Sequence, residues 1–142
     1  MTEPVVIGAH QCKWVKDTDT IMKTLYLPTE EPTGYYALVD SDNNSAYEVP
    51  TGKKFIILKL FVSYDNVNGG GANQEIWKHT SAGSAGGTRI WKLMMSDGTS
   101  ATNTTQDVYN DVYIEIAAGN YINFDMAKTR AGCVVMGVEC NA

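Results

Sequence analysis

The chain has 142 residues, of which 44% are hydrophobic, with a net charge of −5, three cysteines and two histidines. A single domain of this length buries roughly 70% of the surface its unfolded chain exposes, so neither disulfides nor a structural metal is needed to hold a core. The acidic balance argues against nucleic acid, which requires a clustered basic face; Lys53, Lys54 and Lys59 come nearest to one and lie along a single strand.

Residues 1–48 are the least regular part. MTEPVVIGAH has no basic segment leading into a long apolar run, so no secretory leader is expected. Short strands are expected at 5–7, 12–15 and 21–27, the last ended by Pro28. TEEPTG at 29–34 is a turn by composition, 35–39 a strand, and DSDNNS at 40–45 a loop. Pro50-Thr51-Gly52 then makes a tight turn before the longest strand, 54–64.

Strict alternation along 54–64 places Ile56, Leu58, Leu60, Val62 and Tyr64 on one face. Phe55, Ile57 and Phe61 fall on the other, interrupted by Lys59 and Ser63. Two apolar faces imply a central strand with one side in the core and the other under a neighbouring element or a partner subunit. Phe55, Ile57 and Phe61 are therefore the expected self-association face. After a Gly-rich loop at 66–73, Glu75-Ile76-Trp77-Lys78 is echoed by Arg89-Ile90-Trp91-Lys92, which predicts a hairpin with Trp77 beside Trp91. A loop at 96–106 leads to a strand at 108–116, a turn at 117–120, a strand at 121–126 and a final strand at 133–140. No window shows helical periodicity, and about nine or ten short strands with regular turn signals point to an all-β antiparallel sandwich or barrel. The expectation is one domain over 1–142, with 1–48 joining it or forming an arm.

Catalytic chemistry finds little support. His10 and His79 are far apart in sequence, and Ala82-Gly83-Ser84-Ala85-Gly86 lacks both the first glycine and the strand-to-helix setting of a nucleophile elbow. His10 and Cys12, two apart on a strand, would point the same way as half of a zinc site, but the chain offers no second close pair of ligands. Asp40-Ser41-Asp42-Asn43-Asn44 begins like a calcium loop and then fails, with Ser45 at the turn glycine and Thr51 at the bidentate glutamate. Asp107, Asp111, Glu115 and Asp125 lie near strand ends, and nothing singles out two of them as a glycosidase pair. Cys133 and Cys140, seven apart on one strand, point to opposite faces, so free thiols are expected. Tyr109, Tyr113 and Tyr121 alternate with core positions and are the expected outward aromatics, suited to stacking on a sugar ring or anchoring a protein interface.

VPTGKKFIILKLFVS at 49–63, IAAGNYINF at 116–124 and VVMGVEC at 134–140 together resemble small jelly-roll domains of bacteriophage-like virions. The matching positions are Pro50, Gly52 and Lys53, then Ala118, Gly119 and Asn120, then Gly137 and Glu139. Val138 stands where an aromatic is common, and Asn120 replaces an acidic turn residue. The resemblance spans residues 49–140. It implies a jelly-roll sandwich and a structural or attachment protein, such as a capsid decoration, head fibre or tail-tip module, often a homotrimer.

The reading taken from the sequence is thus a non-enzymatic, virion- or appendage-like protein without cofactors. It is made in the cytoplasm, self-associates, with a trimer favoured, and contacts a glycan or protein surface. The Gly-, Ser-, Thr- and Asn-rich loops at 66–73, 80–87 and 97–106 are the expected contact tips. Neither nucleic acid nor membrane insertion is expected, the longest apolar run, 55–58, being far too short to cross a bilayer. The alternatives are a carbohydrate-binding or lectin-like module using exposed Tyr or Trp, and a metal protein or enzyme built on His10 and Cys12.

Overall fold

A computed structural model of the chain describes residues 3–6, 12–15, 20–29, 34–65, 73–94, 104–126 and 130–142. The described residues contain strands and turns and no helix, so no helix among them is long and apolar enough to cross a membrane. Two short strands, β1 (Glu3–Val6) and β2 (Cys12–Val15), pair with each other. The rest form two antiparallel sheets. The larger contains β3 (Ile21–Tyr26), β5 (Val39–Asp40), β6 (Ser45–Ala46), β7 (Lys53–Asp65), β10 (Thr104–Tyr109), β11 (Ile114–Ala117) and β13 (Arg130–Asn141). Its order is β10-β7-β13-β3-β5-β6, with β11 also on β7. The smaller is β4 (Gly34–Ala37), β12 (Tyr121–Met126), β8 (Asn73–His79) and β9 (Thr88–Met94), in the order β4-β12-β8-β9.

One core takes side chains from both sheets, which makes the architecture sandwich-like. Leu25, Phe55, Ile57, Leu60, Val62, Ile116, Cys133 and Val135 come from the larger sheet, and Ile76, Ile122 and Phe124 from the smaller. Each fully buried side chain of this size is worth about 1.5–3 kcal/mol relative to exposure. Residues 21–46 supply strands to both sheets.

The face assignment on β7 needs correction. Lys59 lies opposite Met136 and Ile57 opposite Gly137, leaving Leu58 as an extra residue on β7. A bulge of one residue inverts the alternation beyond it. Phe55 and Ile57, 0% and 2% exposed, therefore share the core with Leu60 and Val62, while Ile56 is buried outside that cluster opposite Val138 and Phe61 is half-buried. Phe55, Ile57 and Phe61 do not form one face, and the first two are closed to any partner.

The opposite edge of β7 breaks at the same place. β10 covers Leu60–Asp65 and β11 covers Lys54–Ile57, while Val112 N donates to the Leu58 carbonyl oxygen at 3.1 Å between them. Asp111, at φ 55°, turns the chain there, so the strand expected over 108–116 is two strands.

The motif positions have physical reasons. Gly119, at φ 75°, lets residues 117–120 turn tightly between β11 and β12. Gly137 lacks a side chain because a Cβ there would meet the Ile56 carbonyl and the Phe55 ring. Glu139 is buried and accepts the Tyr47 hydroxyl at 2.9 Å, and Tyr47 packs edge-on to Phe55 at 5.2 Å. Burial, with the carboxylate second, pushes the Tyr47 hydroxyl far above its ordinary pKa.

Candidate functional site

The outward face of the smaller sheet gathers aromatic, acidic and basic side chains in mutual contact. Ile122 and Phe124 of β12 point into the core, which sends Tyr121, Asn123 and Asp125 outward. On β8, Ile76 is inward and Glu75 and Trp77 outward; on β4, Tyr36 packs on the core and Tyr35 points away. Asp125 lies opposite both Tyr35 and Glu75, and Glu75 lies opposite Lys92. One row along, Trp77 lies between Asn123 and Arg89.

The two rows interlock. Tyr35 and Trp77 lean over β12 until their rings meet edge to face, 6.1 Å apart at 65°. The Arg89 guanidinium lies 5.6 Å from the Trp77 ring centre, within cation–π range. Glu75, largely buried, accepts Arg89 Nη1 at 3.1 Å and lies 3.3 Å from Lys92 Nζ through one oxygen, and accepts Trp77 Nε1 at 3.1 Å through the other. Asp125 sits beside it. Burial first, and the Glu75 charge second, raise the Asp125 pKa, while the Tyr35 hydroxyl donates to the carboxylate and opposes the rise. Tyr35 is itself raised, by burial first and by the Asp125 charge next.

A polar bolt holds the neighbouring loop. Asn123 is 0% exposed, and its amide is saturated. Its Oδ1 accepts Gly83 N at 3.1 Å, and its Nδ2 donates to the carbonyls of Ser81 and Ser84 at 3.1 and 3.2 Å. Residues 80–87 are thereby pinned across the outer face.

The aromatics expected to present themselves do not come together. Tyr109 packs against the core, with its ring 5.6 Å from Trp91. Tyr113 donates to Glu115 Oε1 at 3.0 Å, and Tyr121 donates to Glu48 Oε2 at 2.8 Å. The predicted hairpin of β8 and β9 is present, but Trp77 does not face Trp91. Ile76 opposes Trp91 and Trp77 opposes Arg89, so Ile90 is an extra residue that turns Trp91 inward. The EIWK and RIWK echo marked this region; missing was the bulge that decides which aromatic stays outside.

His10 lies outside the described residues, and Cys12 is described only as a backbone position opposite Val6. Of the loops expected as contact tips, 66–72 and 95–103 lie outside the described residues. The calcium-like stretch holds an ammonium of the chain itself, Lys23 Nζ lying 2.8 Å from Asp40 Oδ2 and 3.0 Å from Asp42 Oδ2. Among the described residues no three His, Cys, Asp or Glu side chains gather as a metal site. Cys133 is buried in the core, where burial pushes its thiol well above the ordinary range and keeps it unreactive. Cys140 is half-buried. No protein-family model and no curated protein sequence matches the chain.

Proposed function

We propose that this chain is a non-enzymatic structural or attachment protein of jelly-roll type, of the kind found in virions and their appendages, and that it self-associates through the outward face of its larger sheet. The strand order supports the jelly-roll reading. The run β10-β7-β13-β3 in one sheet and β4-β12-β8-β9 in the other is the interleaving of a double Greek key, with β5 and β6 extending the larger sheet beyond β3. The chain passes between the sheets at β3–β4, β4–β5, β7–β8, β9–β10, β11–β12 and β12–β13. The resemblance of 49–140 to small virion domains supplies the setting.

One observation carries the self-association. Val108, Phe61, Val134 and Tyr26 lie in register across four strands on the side facing away from the core. Val108 is 54% exposed, and Met22, two rows along the same face, is 60% exposed. A contiguous outward apolar row of this kind marks an interaction surface. Light scattering after gel filtration tests the proposal: a trimer at low micromolar protein is expected, and a monomer would overturn it.

A further inference from the structure

We infer that the outward face of the smaller sheet, where Tyr35, Asp125, Glu75 and Lys92 form one row and Asn123, Trp77 and Arg89 the next, binds a neutral saccharide. This deepens the attachment reading, on which it rests, by naming the surface that the protein contacts.

The composition of the face selects the ligand. Tyr35 and Trp77 belong to no part of the core, and both are partly exposed. Their flat rings suit the apolar C–H face of a pyranose, because an aromatic presents a negative face to weakly positive C–H groups. The row of Asp125, Glu75 and Lys92 lies two residues along the strands from Trp77, about 7 Å in backbone position, and sets carboxylate and ammonium groups beside the rings as partners for hydroxyls. Asp125 has acceptor capacity beyond the single bond from Tyr35, since an ionised carboxylate accepts several donors. Hydroxyl groups of a sugar are donors of the right kind.

The charge balance argues against an ionic ligand. Glu75 holds both Arg89 and Lys92, and with Asp125 opposite it the two carboxylates balance the two cations, so no net positive charge is left for a phosphate, sulfate or uronate. An internally neutralised face with aromatic rings and spare acceptors suits a neutral, hydroxyl-rich ring compound. The face is also preorganised. Glu75 fixes the Trp77 indole through its Nε1–H, and Asn123 pins residues 80–87 beside it, so little order is lost on binding.

The test is a printed array of neutral and anionic oligosaccharides probed with the whole chain and with Trp77→Ala, Trp77→Phe, Asp125→Asn and Tyr113→Ala. Each variant's mass and thermal melt are recorded alongside. Binding is expected to one or more neutral saccharides, about tenfold weaker or worse in Trp77→Ala. Asp125→Asn is also expected to weaken it, and Tyr113→Ala to leave it unchanged. Should Trp77→Ala fail to fold, Trp77→Phe and Asp125→Asn give the same answer. Three results would overturn the inference: no saccharide bound, binding confined to anionic saccharides, or binding indifferent to folded Trp77 and Asp125 variants. A change of assembly mass in folded Trp77→Ala would make the face a contact between copies and overturn it too. A trimer that binds no saccharide would remove this inference alone and leave self-association standing.

Discussion

Gly137 sits where β13 runs closest to the bulge of β7, and its missing side chain is a packing requirement. A Cβ there would press on the Ile56 carbonyl and the Phe55 ring, both in well-filled surroundings. Gly137→Ala is expected to destabilise the protein by about 1–3 kcal/mol, the usual range for overpacking. Denaturant unfolding measures this, and an unchanged midpoint would contradict the close approach. Asp125 has the opposite character, a charged group held where charge is disfavoured. Its raised pKa means that the folded chain keeps this proton more readily than the unfolded chain, so its contribution to stability falls as pH rises through the carboxylate range. Asp125→Asn should therefore gain on the parent as pH climbs, with the difference shrinking toward acid. A difference that is the same at every pH would show that the shift is absent. The turn and glycine positions were legible from sequence because Gly and Pro act locally. The burial of Glu139 and the pairing of Asp125 with Glu75 were not, since each depends on a strand far away in the chain.

At the scale of the element, two bulges explain where sequence reading failed. Alternation predicts faces correctly only while each residue has one partner, and one extra residue reverses every face beyond it. Leu58 does this on β7, which is why Phe55 and Ile57 join Leu60 inside instead of joining Phe61 outside. Ile90 does it on β9, which separates Trp77 from Trp91. Neither bulge has a local composition signal; both exist only in the pairing with a neighbouring strand. The hairpin itself was legible, because its two short segments echo each other. Its loop adds a second dependence, since residues 80–87 are held by one side chain of β12. Asn123→Ala should release the loop. Hydrogen exchange at the Gly83 amide should quicken, and the fold should lose about 1–3 kcal/mol. Unaltered exchange at Gly83 would show that the loop is held by something else.

For the whole molecule, the all-β class followed from the absence of helical periodicity and the regular spacing of turns. The division into two sheets with one shared core could not be read that way. It rests on pairings such as β13 with β7, whose partners are separated by about half of the chain. The two outward faces then divide the chemistry. The smaller sheet turns out aromatic rings and balanced charge, while the larger turns out the row Val108, Phe61, Val134 and Tyr26. Of the three residues expected on one face, Phe61 lies in this row, and Phe55 and Ile57 lie in the core.

Assembly through that row is the central claim, and a single substitution addresses it most directly. Val108 is more than half exposed, so Val108→Glu leaves the core untouched while placing a charge at the exposed end of the apolar row. The measurement is the light-scattering mass of Val108→Glu beside the parent at equal concentration. A parent trimer that becomes a folded monomer is the predicted result. A variant whose mass equals that of an assembled parent, or a parent that is already monomeric, would contradict it.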